Sequence, residues 1–220
     1  METALRNKWK TTLAVLALFA IGMAFVESAV VVYLRLLLYP TGFFFPLQEI
    51  QPDLLRVELV REFATILMLA TVAWCAGDNL HNRIMFFFYE FGVWDIFYYI
   101  FLKITIAWPL SLFDWDLLFL IPLPWLGPVA APVIVSLFFI GGSIYILQRE
   151  SQDFSIRFNL WNILGFVLGA IVIVGSFLYN TKSVMNRTAP AQYPWWLYWI
   201  GFAIWLVSFY DVVRRKREKV

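Results

Sequence analysis

The chain has few of the side chains that most often bind metals. Its 220 residues contain one cysteine, Cys75, and one histidine, His81. A single cysteine excludes an intrachain disulfide and a thiolate metal cluster. A single histidine excludes bis-histidine haem ligation within one chain, so we expect no haem from this chain alone. His81 lies in a short polar stretch, which is typical of a solvated loop histidine.

Charged residues are also scarce. Asp, Glu, Lys and Arg make up 15% of the chain, whereas 62% of its residues are hydrophobic and 20% are aromatic. Soluble domains contain about 25% charged and about 45–50% apolar residues, so the composition argues against a water-soluble fold. The basic residues stand at the ends of apolar segments, which excludes a nucleic-acid surface. The composition predicts that the lipid bilayer is the main partner.

Six segments are long and apolar enough to cross a membrane, since a spanning helix needs about 20 apolar residues. They are residues 11–38, 57–77, 83–107, 128–148, 159–179 and 194–213. The pattern predicts an all-α integral membrane protein that forms a single transmembrane domain over residues 1–220. Gly165 and Gly169 form a GxxxG pattern in the fifth segment, which favours close helix packing inside the chain over dimerisation.

The basic residues predict an orientation. With six spans, most of them fall on one side of the membrane: Arg6, Lys8, Lys10, Arg83, Arg149, Arg157 and the basic tail over 214–220. The positive-inside rule places that side, with both termini, in the cytoplasm. The short loops and compact chain favour a bacterial inner (plasma) membrane.

The region between the third and fourth spans is irregular. Its apolar core over 117–121 is too short to span, and Pro122, Pro124 and Pro128 interrupt any continuing helix. These features predict a re-entrant or interfacial half-helix. Irregular backbone at membrane depth is tolerated only where it is buried in protein or lines a wet cavity. The loop after the first span is also too apolar for free solution, and we expect it either to lie along the membrane surface or to fold back over the helices.

Charged side chains interrupt several apolar runs. A charge at the bilayer centre costs at least about 2.5–3.5 kcal/mol, so such residues usually face a partner, a cavity or a ligand. Depth along the predicted spans places most of them in the outer half of the membrane. The candidate polar binding site consists of Glu27, Arg35, Glu58, Arg61, Glu62, Glu90, Asp95, Tyr98, Tyr99 and Lys103.

Helical spacing refines this set. Glu58, Arg61 and Glu62 share one face, whereas Glu90 lies about 140° around its helix from Asp95, so we expect these two acids to have different partners.

Internal ion pairs are one explanation of these charges. Glu27 or Asp95 would pair with Arg61, Arg35 or Lys103, and such pairs would fix helix register without any chemistry. The count argues against full neutralisation, because six acids face three bases. The acids are Glu27, Glu58, Glu62, Asp95, Asp114 and Asp116, and the bases are Arg35, Arg61 and Lys103. Bound protons, a bound cation or exposure of some of the six acids to water would resolve this surplus.

Asp114 and Asp116 form an Asp-x-Asp pair. Their oxygens suit Mg²⁺ or Ca²⁺ when a third carboxylate or a substrate phosphate joins them, so a divalent cation is a candidate cofactor. On a regular helix the two side chains would point about 200° apart, so chelation requires a loop.

Three functions fit these features. The first is transport or binding of a small polar or cationic solute, coupled to protons through the buried carboxylates; we rank it first because transporters use such carboxylates and broken segments. The second is a membrane-embedded enzyme acting on a lipid or lipid-linked substrate. In that enzyme Glu58, Glu62, Asp114 and Asp116 would hold a metal or act as acid and base, and Arg35 and Arg61 would engage a phosphate.

The third function is a structural subunit of a larger membrane complex. For the transport function, six helices without a visible repeat are few for a self-contained carrier. We therefore expect a homo-oligomer or a larger assembly.

Overall fold

The protein is mostly helical. The computed structural model describes residues 2–39, 42–44, 46–48, 50–152, 154–156, 158–186, 188, 190, 192–215 and 217–218. The helices are α1 (Glu2–Leu38), α2 (Pro52–Ala76), α3 (Leu80–Ile106), α4 (Ala130–Glu150), α5 (Leu160–Leu178), α6 (Thr181–Met185) and α7 (Trp195–Arg214). The strands are β1 (Trp115–Phe119), β2 (Trp125–Pro128), β3 (Phe154–Ser155) and β4 (Arg217–Glu218). Within these described residues, six helices are long and apolar enough to cross a membrane, the same number as predicted.

Local sequence explains where these helices begin. Proline is tolerated in the first turn, where its missing N–H would be unpaired in any case, and Pro52 starts α2 there. The Asn79 side chain accepts a 2.9 Å hydrogen bond from the Asn82 N–H and so caps α3. Asn159 and Asn162 form a reciprocal capping box at the start of α5.

The helices form two packed groups. α3 packs against α1, α2 and α4, and α5 packs against α7. Trp9 near the start of α1 and Val212 near the end of α7 belong to one apolar cluster, so both helical ends of the chain lie at the same end of the bundle. We call this end the termini side. The opposite end, where α1 and α3 finish, is the hairpin side.

The α5–α7 contact depends on glycine. An added Cβ on Gly169 would lie 2.8 Å from the Gly201 carbonyl oxygen, and one on Gly201 would lie 2.8 Å from the Gly169 carbonyl oxygen. The two backbones therefore approach too closely for any side chain between them. The predicted role of the glycine pattern in packing within the chain is confirmed.

The segment between α3 and α4 is a β-hairpin, so the predicted half-helix is wrong. β1 and β2 pair antiparallel, with Asp116 opposite Gly127 and Leu117 opposite Leu126. A helix as short as 117–121 would leave most of its backbone groups unpaired, whereas strand pairing satisfies them across the hairpin. The prolines that exclude a helix fall mainly in the connection between the strands, where no ladder N–H is needed.

The hairpin tip contacts residues well inside two helices. The Leu120 N–H donates to both carboxylate oxygens of Glu62, at 3.0 and 2.9 Å. The Phe119 ring lies 6.4 Å from the Trp94 ring. Glu62 is about 15 Å from the start of α2, and Trp94 is about 18 Å from the end of α3, at 1.5 Å per residue. The tip therefore packs between the helices.

The loop after α1 folds back where it is described, which is the second of its two predicted placements. The Gln48 N–H donates a 2.7 Å hydrogen bond to the Tyr39 hydroxyl. The Phe43 ring packs edge-on against Tyr39 and Trp108, with ring centroids 5.1 and 6.0 Å apart. These contacts hold the loop over the hairpin side of the bundle.

Candidate functional site

A cavity of about 680 Å³ lies between the helices and the hairpin. Its wall is mostly apolar and aromatic, but its part nearest the hairpin is charged. We call this part the polar chamber. It is lined by Glu27, Arg35, Glu58, Arg61, Glu62, Asp95, Tyr98, Tyr99 and Asp116. Most of the predicted site therefore meets in one place.

Arg61 is the centre of a buried ion cluster. Its guanidinium contacts Glu27 of α1 and makes 2.8 Å bonds with Glu58, one turn earlier on α2. The Thr65 hydroxyl also contacts Glu27. Glu27 and Glu58 are only 5% and 4% exposed, so both depend on this one guanidinium for charge compensation. Of the ion pairs that the sequence left open, Glu27 with Arg61 is one that the structure shows.

Arg35 forms the second ion pair. Its Nη2 lies 3.0 Å from Asp116 Oδ1, and its guanidinium stacks 3.7 Å from the Trp108 ring and 4.4 Å from the Phe43 ring. The Tyr99 hydroxyl approaches the same carboxylate. Burial raises the pKa of Asp116, and the Arg35 guanidinium opposes this shift. Asp116 therefore joins α1 and α3 to the hairpin.

Glu62 and Asp95 receive hydrogen bonds from neutral donors. Glu62 accepts from the Leu120 N–H, and Asp95 accepts a 2.7 Å bond from the Ser136 hydroxyl of α4. Each residue is 8% exposed. Within the part of the chain that the structure describes, neither forms an ion pair with a basic side chain. The polar chamber therefore contains five carboxyl groups and two guanidinium groups, and two of the carboxyls lack a basic partner.

Aromatic rings line the same cavity as these two carboxyls. The Trp94 ring lies 6.5 Å from Tyr98 and 6.4 Å from Phe119, and Tyr98 lies 5.0 Å from Tyr99. Ring faces attract cations, most strongly organic ammonium groups that have lost their water. Carboxylates beside such rings can recognise an organic cation.

Two predicted site residues lie outside the cavity. Lys103, in the last turn of α3, donates to the Pro109 carbonyl at 2.8 Å and to the Ala107 carbonyl at 3.4 Å, as basic residues near a helix end often do. Glu90 is fully buried on another face of α3 and approaches the backbone of Ala73. Neither of its oxygens makes a hydrogen bond of normal geometry. As predicted, Glu90 and Asp95 face different neighbours.

The two aspartates of the predicted metal site have different partners. Asp114 Oδ2 accepts from the Leu110 and Ser111 N–H groups at 2.7 and 3.1 Å and closes a local turn. Asp116 pairs with Arg35. In the described ranges, no group of three or more His, Cys, Asp or Glu side chains is arranged to hold a metal ion. Metal binding at Asp114 and Asp116 stays a prediction.

Sequence reasoning missed several polar and aromatic members of the site. Thr65 lies four residues after Arg61 on the same helical face, and this spacing could have identified it. Ser136 is a serine in an apolar helix, and nothing in its local sequence distinguishes it from a serine that bonds its own helix. The Leu120 N–H could be identified as a donor to Glu62 only from the structure of the hairpin.

Comparisons of the chain with protein-family models, with curated proteins and with solved structures give no significant match. No role can therefore be assigned to these residues by analogy, and a function has to be proposed from the chemistry of the cavity.

Proposed function

We propose that this protein binds small organic cations in the polar chamber as a step in their transport across the membrane. The observation that supports this most directly is the environment of Glu62 and Asp95, which are buried and, among the described residues, accept hydrogen bonds from neutral donors without forming an ion pair. A carboxylate removed from water is costly unless an opposite charge or a proton neutralises it. A bound cation would supply that charge, and the neighbouring rings would stabilise it.

Protons compete with the cation for the same carboxylates, so the proposed transport is coupled to proton movement. The arrangement favours a cation over a lipid phosphate, because both guanidinium groups already contact carboxylates; among the described residues, Arg35 Nη1 is the guanidinium nitrogen that is buried without a hydrogen-bond partner. Arg61 contacts Glu27 and Glu58, and Arg35 contacts Asp116. An anionic substrate would have to displace these partners and would meet the surplus of carboxyl groups.

We also propose that the protein resides in a bacterial inner membrane with both termini in the cytoplasm. The concentration of Lys and Arg at the termini side supports this orientation. In it, the β-hairpin is a re-entrant element that enters from the opposite face. Its contacts with Glu62 and Trp94 support this placement.

Replacing Asp95 by asparagine tests the binding step. Asp95→Asn keeps the size of the side chain and its ability to accept from Ser136, but it removes the charge. We expect the affinity for tetramethylammonium to fall roughly thirtyfold, because losing one partner of a buried charge pair costs about 2 kcal/mol or more. Equilibrium binding of the radiolabelled cation to purified protein measures this change.

The matched control is Asp53→Asn, the same substitution at a side chain that is 94% exposed. It should leave the affinity unchanged. Equal affinities in all three proteins, or binding of acetate in preference to tetramethylammonium, would contradict the proposal. Proteoliposomes with an acidic interior test the transport step: we expect the wild type to accumulate the cation and Asp95→Asn not to do so.

Cysteine labelling tests the orientation. In a Cys75→Ala background, Asp78→Cys places a thiol in the α2–α3 connection, and Asp53→Cys places one at the opposite end of α2. We expect a membrane-impermeant maleimide to label Asp53→Cys on intact cells and Asp78→Cys only after permeabilisation. The reverse pattern would show that the termini are outside.

A further inference from the structure

The cavity continues beyond the polar chamber as an apolar channel towards the termini side. We call this part the apolar arm. Its walls are formed by α3, α4 and α5, and they include Ile84, Phe88, Gly142, Ile146, Ile163 and Val167. The arm and the polar chamber belong to one continuous cavity, so a single molecule can occupy both.

α3 shows the continuity and the length of this cavity. Its lining residues recur every three or four positions, at 84, 88, 91, 95 and 98, and therefore form one helical face. From Ile84 to Asp95 this face is about 16 Å long, at 1.5 Å per residue. That length is close to the hydrocarbon depth of one leaflet, which is about half of a 30 Å core.

The arm opens sideways towards lipid. Ile84 of α3 and Ile163 and Val167 of α5 line the cavity, yet they are 41%, 49% and 50% exposed. The two groups meet where Phe138 and Phe139 of α4 pack against Trp205 of α7. Within the described helices, α3 and α5 do not pack closely against each other, so these half-exposed side chains lie along an opening between those two helices. A molecule dissolved in the bilayer can enter through this opening.

We propose that the ligand is a long-chain cationic amphiphile, with an ammonium head in the polar chamber and one hydrocarbon chain in the apolar arm. This inference rests on the proposed function, which assigns the head group. A phospholipid fits less well, because its phosphate would face a chamber with more carboxyl than guanidinium groups. A neutral chain has no charge to hold it beside Glu62 and Asp95.

Gly142→Leu tests whether the ligand occupies the apolar arm, separately from its binding in the polar chamber. Gly142 lines the arm, and an added Cβ there would lie 3.5 Å from its nearest neighbour, Phe209, which is ordinary contact. A leucine can therefore be accommodated on α4 while its side chain occupies the arm. The neighbouring Gly141 is exposed, with no atom within 4 Å of an added Cβ, so Gly141→Leu is the matched control.

The experiment uses protein in phosphatidylcholine nanodiscs, with affinities expressed per mole fraction of ligand in the lipid. We expect Gly142→Leu to weaken binding of tetradecyltrimethylammonium about tenfold, as steric overpacking does. Its affinity for tetramethylammonium should be unchanged, and Gly141→Leu should bind both probes like the wild type.

Photolabelling of the wild type gives a second readout without a substitution. A tetradecylammonium probe with a terminal diazirine should label peptides containing Ile84, Gly142 or Val167, and excess tetramethylammonium should remove this label. The neutral control is the alcohol of the same chain length, which should label lipid-facing residues generally and resist the competitor.

The outcomes separate the two proposals. If the wild type fails to bind tetramethylammonium, the proposed function is wrong. If it binds that cation while Gly142→Leu binds the long-chain probe normally and the label is spread over the lipid-facing surface, only the arm inference is wrong. Equal labelling of the arm by the neutral alcohol would show that bulk lipid fills it, and would also overturn the inference.

Discussion

Arg61→Met should destabilise the protein by about 3–5 kcal/mol, because it leaves two buried carboxylates without their guanidinium. Glu27 and Glu58 both contact Arg61, and both are almost completely buried. Methionine keeps much of the length of the side chain and so limits the loss of packing. The free energy of unfolding, from denaturant titration in detergent, measures the effect.

Two further variants test whether the two unpaired carboxylates cause the loss of stability. Adding Glu27→Gln and Glu58→Gln to Arg61→Met should restore much of the lost stability, because no uncompensated charge is then left buried. Arg56→Met is the control, since Arg56 and its partner Asp53 are 78% and 94% exposed, and exposed pairs contribute little. If Arg61→Met lowered the free energy of unfolding no more than Arg56→Met does, the ion cluster would not contribute to stability.

Gly169→Leu is expected to separate α5 from α7 and to destabilise the protein by about 3 kcal/mol, at the upper end of the usual cost of overpacking. An added Cβ would lie 2.8 Å from the Gly201 carbonyl oxygen, and backbone cannot move aside as a flexible side chain can. The same unfolding measurement applies. Gly141→Leu, the same substitution in open space on α4, should cost little. Equal losses in the two variants would contradict the close packing of α5 and α7.

The sequence predicted the helical framework because lipid restricts a chain so strongly. Backbone groups in hydrocarbon have to pair within the segment, so long apolar runs form helices wherever they span. The same constraint identified much of the site, since charges inside such runs have to find partners or a ligand. Helical spacing then placed Glu58 and Arg61 on one face, where they meet.

The pairings between distant segments could not be predicted in this way. Arg35 and Asp116 are 81 residues apart, and nothing near either residue specifies the other. The hairpin was missed because the pairing of β1 with β2 depends on long-range contacts, whereas the apolar run at 117–121 resembles a short helix. Glu90 was included because it interrupts an apolar run and Lys103 because of its depth, and neither property shows which neighbour a helix face meets.

Crystallography with tetramethylarsonium tests directly whether the polar chamber binds a cation, because the anomalous signal of arsenic locates the cation. We predict a peak in the polar chamber, beside the Glu62 or the Asp95 carboxylate and within about 6 Å of an aromatic ring centre. The Glu62→Gln/Asp95→Asn variant should lose this peak while keeping the fold. No peak in the chamber at a concentration that saturates binding in solution, or a peak that persists in the variant, would contradict the account.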